Sequence, residues 1–334
     1  MYHARPTFAA QGFYVQRITE DFGAQAPIAA FYRSAKTGPI WEGIAVRLGR
    51  YDTSKIKVRS AGGGRGRAGK AGGIGCGTIV IALIAALLFG VDPMQTIGVL
   101  QGVQSPSPQV SQQSNLTEEQ LCSSGPYAQE ACQAMQSLNE TWEPIVRNAG
   151  IRFEQPELVL YPPGPVQTRG CGNASSAAGP FYCPADYGIY IETGFFDQLA
   201  QMAGTNGDFA RLYVMAHEYG HHVQNLSGLS GQVRSLQQQN PREANQLLVR
   251  LELMADCYAG VWAGQNRALI EPGDLEEGLR AASAVGDDTI QRRAGQRISP
   301  ESFTHGTSQQ RMDALRRGLN NGDAGACDVY FNAR

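Results

Sequence analysis

The chain has 334 residues, 42% of them apolar and 17% charged, which is ordinary for a folded protein and enough for one substantial core with extra segments. Its formal net charge is −2, and its basic residues cluster only at 55–70. That balance excludes a general electrostatic surface for nucleic acid.

Residues 1–45 have mixed composition, no clear period and no motif, and stay unassigned. The Gly and basic content that follows indicates a flexible cytoplasmic tail over 46–70. "AGGIGCGTIVIALIAALLFGV", Ala71 to Val91, carries no charge. At 1.5 Å per residue it would be about 30 Å long, the thickness of a bilayer's hydrocarbon core, and it predicts one transmembrane helix. A core helix of this length would show a polar face, and this one has none. Lys55, Lys57, Arg59, Arg65, Arg67 and Lys70 precede the run, whereas "DPMQTIGVLQGVQSPSPQVSQQSNL" after it has no Lys or Arg. The positive-inside rule then predicts a cytoplasmic N-terminus and a larger C-terminal part outside, periplasmic or extracellular. Beside such a span the basic cluster suits lipid headgroups better than RNA.

The Gln/Ser/Pro-containing stretch at 92–116 reads as a linker, and the folded domain occupies 117–334. "TEEQ" has the spacing of a capping box at Thr117 and Gln120, and a helix continues to Gly150. Short β-like runs follow at 158–162 and 188–192. A helix is expected over 208–226, another from the Asn240-Pro241 start to about Ala268, and two more at 273–285 and 308–319. This is an α+β arrangement, mostly helical with a small sheet. Cys76 lies in the apolar run; the other six cysteines follow it, an even number in the compartment expected to be oxidising. Nearest neighbours predict Cys122 with Cys132 and Cys171 with Cys183, leaving Cys257 for Cys327; the alternative for Cys257 is a buried free thiol.

"VMAHEYGHHV", residues 214–223, puts three histidines and a glutamate into an otherwise apolar helix. His217 and His221 are four apart and share a face, the HExxH pattern in which two histidines bind zinc and the glutamate, here Glu218, serves as general base on water. His222 is about 100° off that face and is not expected to be a ligand. A catalytic zinc needs a third protein ligand. In "LLVRLELMADCYAGVWAG", residues 247–264, Glu252 and Asp256 interrupt an apolar run, and burying them without a cation would cost several kcal/mol each. We read Glu252 as the third ligand and Asp256 as the acceptor for the free ring N–H of His217; the alternative is a salt bridge to Arg250 or Arg267. His305, in a Gly-containing loop before a Thr307–Gln310 capping box, is a candidate for hydrogen-bonding a tetrahedral oxyanion, against a plain capping or packing role.

"GCGTIVIALIAALLFGVDP", "GPFYCPADYGIYIETGFFDQL", "AHEYGHHVQ", "RLELMADCYAGVWA" and "HGTSQQR" together resemble the bacterial neutral zinc metallopeptidase family of single-span membrane proteins, over about residues 50–334. The resemblance implies a zincin-like domain with one Zn2+ held by His217, His221 and Glu252, with Glu218 catalytic and a peptide or protein as substrate. In such peptidases an extended substrate pairs with an edge strand, a role expected here for "GIYIE". "VRLGRYDTSKI" resembles a family N-terminus, which suggests a translation start at Val46. A membrane-tethered zinc protein without peptidase activity is the competing expectation; an intact Glu218 weighs against it, since a purely structural site closes with four ligands.

Overall fold

The computed structural model describes residues 48–61, 116–175 and 179–332. The expected span at 71–91, the segment 1–45 and all but the last residue of the linker lie outside the described residues. Among those described, no helix is long and apolar enough to cross a membrane.

Six short strands are present: β1 Lys57–Ser60, β2 Glu157–Tyr161, β3 Pro165–Gln167, β4 Asn173–Ser175, β5 Phe181–Cys183 and β6 Gly188–Glu192. Four form one sheet in the order β1-β2-β6-β5, with β1, β2 and β6 parallel and β5 antiparallel to β6. β3 and β4 make a separate antiparallel pair. The main sheet is covered on both faces. Leu158, Leu160, Ile189 and Ile191 enter the large helical core, while Val159, Tyr161 and Tyr190 meet Val166 and Ala174 of the small hairpin. Two buried faces explain why "LVLY" and "GIYI" read as continuous apolar runs with little alternation. Since β6 is flanked by β2 and β5, it is not the edge strand expected from its sequence; the edges are β1 and β5, and β5 packs beside the helix that carries HEYGH.

β1 corrects a second expectation. Residues 48–61 are built into the domain and are not a loose tail. Val58 and the preceding Ile56 are 5% and 3% exposed in the helical core, and β1 pairs with β2 from Lys57–Glu157 to Ser60–Leu160. Arg59 also bonds Glu157 at 2.7 Å, and Lys55 bonds Glu140 at 2.9 Å. Of the basic residues that suggested a cytoplasmic tail, Lys55 and Lys57 are exposed positions of this segment and Arg59 is half-buried against Glu157. A single bilayer crossing between Ala61 and Leu116 would leave β1 and β2 on opposite sides, and their pairing speaks against it.

Among the described residues the α-helices of five or more residues are α1 Glu118–Cys122, α2 Pro126–Asn148, α3 Phe195–Ala203, α4 Asp208–Leu226, α5 Leu229–Gln239, α6 Ala244–Gln265, α7 Asp274–Ala284, α8 Asp287–Arg293 and α9 Ser308–Asn321. α1 has the expected capping box at Thr117 and Gln120, but Ser123–Gly125 interrupts what the sequence suggested was one helix, and Pro126 restarts it at a position where its missing N–H costs nothing. Pro241–Glu243 is a 3-10 turn, and the Asn240 side chain makes no cap bond. All three disulfides pair as spacing predicted: Cys122–Cys132, Cys171–Cys183 and Cys257–Cys327.

α4 and α6 pack together at the centre, and α9 crosses α6. Gly260 and Gly318 make that crossing close: a methyl on Gly260 would overlap the Leu315 carbonyl, and one on Gly318 the Cys257 carbonyl. Such backbone approach is what glycine permits.

Two outcomes follow. Gly318→Ala should cost roughly 1–3 kcal/mol, because a backbone carbonyl cannot move aside as a side chain can; a chemical denaturation midpoint equal to wild type would rule out this close a crossing. In a Cys76→Ser background, single cysteines at the exposed positions Lys57 and Arg297 should either both react or both be shielded when intact cells are treated with an impermeant thiol reagent. Labelling from opposite sides would show that β1 does not pair with β2 in the cell.

Candidate metal centre

α4 and α6 approach closely where Gly220 faces the backbone of Ala255; a Cβ on Gly220 would sit 3.0 Å from the Ala255 Cα and carbonyl oxygen. The glycine of HEYGH therefore lets the two helices close, with His217 and His221 on one side of the seam and Glu252 and Asp256 on the other. One atom each of His217, His221 and Glu252 can be chosen so that all three lie within 4.8 Å of one another. His217 Nε2 is 3.2 Å from Glu252 Oε2, and His221 Nε2 is 3.4 Å from Glu252 Oε1. A tetrahedral zinc about 2.0–2.1 Å from each ligand needs ligand atoms roughly 3.3 Å apart.

Both histidines are oriented from behind. His217 Nδ1 lies 2.8 Å from Asp256 Oδ1, and His221 Nδ1 lies 2.9 Å from Gln224 Oε1. Gln224 donates its amide to the Leu251 carbonyl at 2.7 Å, which fixes its oxygen toward His221. With hydrogen on both Nδ1 atoms, both Nε2 lone pairs face the shared space with Glu252. Gln224, one turn beyond HEYGH, carried no sequence signal beyond its polarity in a buried helix.

Asp256 is fully buried and has three partners. Besides His217 it takes both arms of Arg311, Nε to Oδ2 and Nη2 to Oδ1, each at 2.9 Å, and accepts Tyr213 Oη–H at 2.6 Å. Arg311 belongs to "HGTSQQR" on α9 and is itself only 4% exposed. The arginine alternative and the histidine alternative for Asp256 are thus both realised, with Arg311 in place of Arg250 or Arg267. Sequence reasoning missed Arg311 because a helix-surface arginine and a buried one look alike until α9 is docked.

The charges in this pocket need a cation. Burial opposes charge on all of these groups, yet the guanidinium and His217 hold the Asp256 carboxyl below its usual range, and the histidines hold Glu252 well below it. Burial by itself would lower the His217 pKa, but Asp256 and Glu252 outweigh it and push it up to about 10. With neutral histidines, the carboxylates of Glu218, Glu252 and Asp256 against one guanidinium leave two negative charges, which a divalent ion would cancel. The donor set and its spacing fit zinc.

Glu218 differs from its neighbours. It is 7% exposed and its side chain makes no hydrogen bond to any described residue. Burial raises its pKa against the lowering effect of His217 and His221. His222 is a core residue: its Nε2 donates to the Glu154 carbonyl at 2.7 Å, its Nδ1 accepts from Tyr182 at 3.0 Å, and burial pushes it down to about 4. Tyr219 donates to Asn139 at 2.9 Å in the packing under α4. His305 is buried in the loop before α9, within electrostatic reach of Glu252.

The family described as "Putative neutral zinc metallopeptidase" matches residues 48–330. YpfJ of Escherichia coli K12, an uncharacterized protein, is 42% identical over 259 residues, covering 75% of this chain and 85% of its own. Rv2575 of Mycobacterium tuberculosis H37Rv, also uncharacterized, is 42% identical over 210 residues, covering 59% of this chain and 68% of its own. No solved structure matches the chain.

Asp256→Asn should keep the fold and lower zinc affinity roughly 10- to 100-fold, since the imidazole loses the carboxylate that orients and polarises it. Arg311→Met should instead destabilise the metal-free protein by about 3–5 kcal/mol by taking the guanidinium away from the buried Asp256 carboxylate. Zinc titration and denaturant unfolding of the two variants separate these roles; equal effects of both on both measurements would show that they do not divide this way.

Proposed function

This chain belongs to the neutral zinc metallopeptidase family, and we propose that it is a zinc-dependent peptidase that cleaves peptide bonds in proteins or peptides outside the cytoplasm. The observation that carries this reading is Glu218. Beside three convergent ligand atoms stands a buried carboxylate with no hydrogen-bond partner among the described residues, poised by burial to exchange a proton. A structural site has no use for such a group, and among the described residues no fourth His, Cys or carboxylate joins the three ligands to close the site.

His217, His221 and Glu252 would hold the ion, and a bound zinc would supply Lewis acidity toward the scissile carbonyl. The chain's own residues do the rest. Asp256 and Gln224 keep both imidazoles in the ligating tautomer, so the site needs little rearrangement to bind. Glu218 takes a proton from the attacking water and returns it to the departing amine, which a carboxyl with a raised pKa does well. His305 offers a hydrogen bond to the carbonyl oxygen as negative charge builds there. β5, an outer strand of the main sheet beside α4, offers backbone groups to an extended substrate in place of β6.

Three disulfides support an oxidising compartment. The apolar run at 71–91 supports a membrane attachment, and the pairing of β1 with β2 supports one in which the chain on both sides of the run lies in the same compartment.

Glu218→Gln should retain stoichiometric zinc while peptide hydrolysis falls at least ~100-fold, because it removes the base and no ligand. His217→Ala should lose the metal as well. Cleavage of a peptide library by the Gln variant at the wild-type rate would refute Glu218 as the base, and the absence of chelator-sensitive cleavage by the wild type would refute the peptidase reading.

A further inference from the structure

His222 and Asn225 are polar residues of α4 that the metal centre does not use. Each follows by one position a residue that the centre does use, His221 and Gln224, so on the helix they form the same i, i+3 pair turned by about 100°. The first pair faces α6, where Gln224 meets the Leu251 carbonyl and His221 meets Glu252. The second pair faces β5.

What they meet there is the Tyr182 hydroxyl. His222 Nε2–H donates to the Glu154 carbonyl at 2.7 Å, so its Nδ1 carries the lone pair and accepts Tyr182 O–H at 3.0 Å. Asn225 Nδ2 donates to the same hydroxyl oxygen at 3.0 Å and to the Pro184 carbonyl at 3.1 Å. Donor and acceptor are thus assigned at every bond. β5 is held at a side chain and, just past its end, at a backbone carbonyl.

Tyr182 is the one residue of β5 whose side chain turns to α4. Successive strand residues alternate between faces. Phe181 stacks on Tyr190 at 4.7 Å in the cluster beneath the small hairpin, and Cys183 joins Cys171 on that side, whereas Tyr182 packs against the helical core. As the middle of three residues, it fixes both the height of β5 over α4 and its place along the helix. Ring packing alone would need no hydroxyl, since the Tyr182 ring already meets the His222 ring edge-on at 5.4 Å. The hydroxyl adds direction.

We propose that Tyr182, through His222 and Asn225, is a positioning residue that registers β5 against the ligand-bearing turn of α4, so that an extended peptide paired with β5 lies at a fixed distance from the metal ligands. The substrate half of this statement rests on the peptidase reading above; the tie between β5 and α4 does not.

Tyr182→Phe keeps the ring and removes the tie. Amide hydrogen exchange of the full chain should speed up at residues 181–183 and stay at the wild-type rate at 217–221. Zinc content should be unchanged, because Tyr182 bonds none of the three ligands. Peptide length then separates positioning from general weakening. For a decapeptide cut by the wild type, kcat/KM should fall roughly 10- to 100-fold, the scale of a misplacement of about 1 Å, while for a blocked dipeptide of the same scissile pair, too short to span β5, it should stay within about twofold. Equal losses on both peptides, or no loss on the decapeptide, would overturn the proposal. Asn225→Ser leaves the Tyr182–His222 bond in place and should show the same length dependence at smaller size; it decides the question if Tyr182→Phe does not fold. If the wild type cleaves no peptide, the peptidase reading and the substrate half fall together, and exchange at 181–183 decides the tie, which an unchanged rate in the variant would overturn.

Discussion

The bond from His217 to Asp256 is braced from behind by Arg311, and through it three helices meet at one carboxylate. α4 brings the imidazole, α6 the carboxylate, and α9 the guanidinium that lets the carboxylate stay ionised in a dry interior. Without Arg311, Asp256 would be a buried carboxylate lacking its guanidinium; without Asp256, His217 would be free to turn its ring or change its tautomer. The centre therefore exists only when the helices are docked, and the docking is set by backbone contact. Gly220 lets α4 reach α6, and Gly260 and Gly318 let α9 reach α6. Polar chemistry at the seam and glycine packing beside it are parts of one construction.

A group of buried charges is poor material for stability, since its desolvation is only partly recovered by pairing. The surrounding structure offsets this with apolar burial and covalent ties. α4 and α6 are apolar almost all round because each is covered on several sides, and the Cys257–Cys327 disulfide links α6 to the segment after α9. Two more disulfides tie α1 to α2 and the loop after β3 to β5. The resulting scaffold holds the ligand atoms near the separations a zinc ion needs, with Glu218 the one carboxylate of the centre left unbonded.

β1 makes the domain longer than its helices suggest. It comes before the apolar run in sequence and stands beside β2 in space, with Ile56 and Val58 in the same core as α2 and α4. Residues on both sides of the run thus belong to one cooperative unit. This agrees with the family match, which begins at residue 48 rather than at the capping box near residue 117.

The sequence by itself determined whatever depends on local spacing. His217 and His221 fall on one face because four residues make about one helical turn, Glu252 and Asp256 declare themselves as charges in an apolar helix, and the cysteine pairs follow from proximity along the chain. The capping boxes at Thr117 and Thr307 were legible for the same reason. Only the tertiary structure decided which distant group completes each local one. Arg311 lies 55 residues from Asp256, and Arg59 of β1 lies 98 residues from the Glu157 it bonds. Tyr182 meets the His222 ring only because the sheet packs β5 against α4. A polar side chain in a sequence shows a need for a partner, and burial makes that need strong, but the partner's identity depends on which surfaces the whole core brings together.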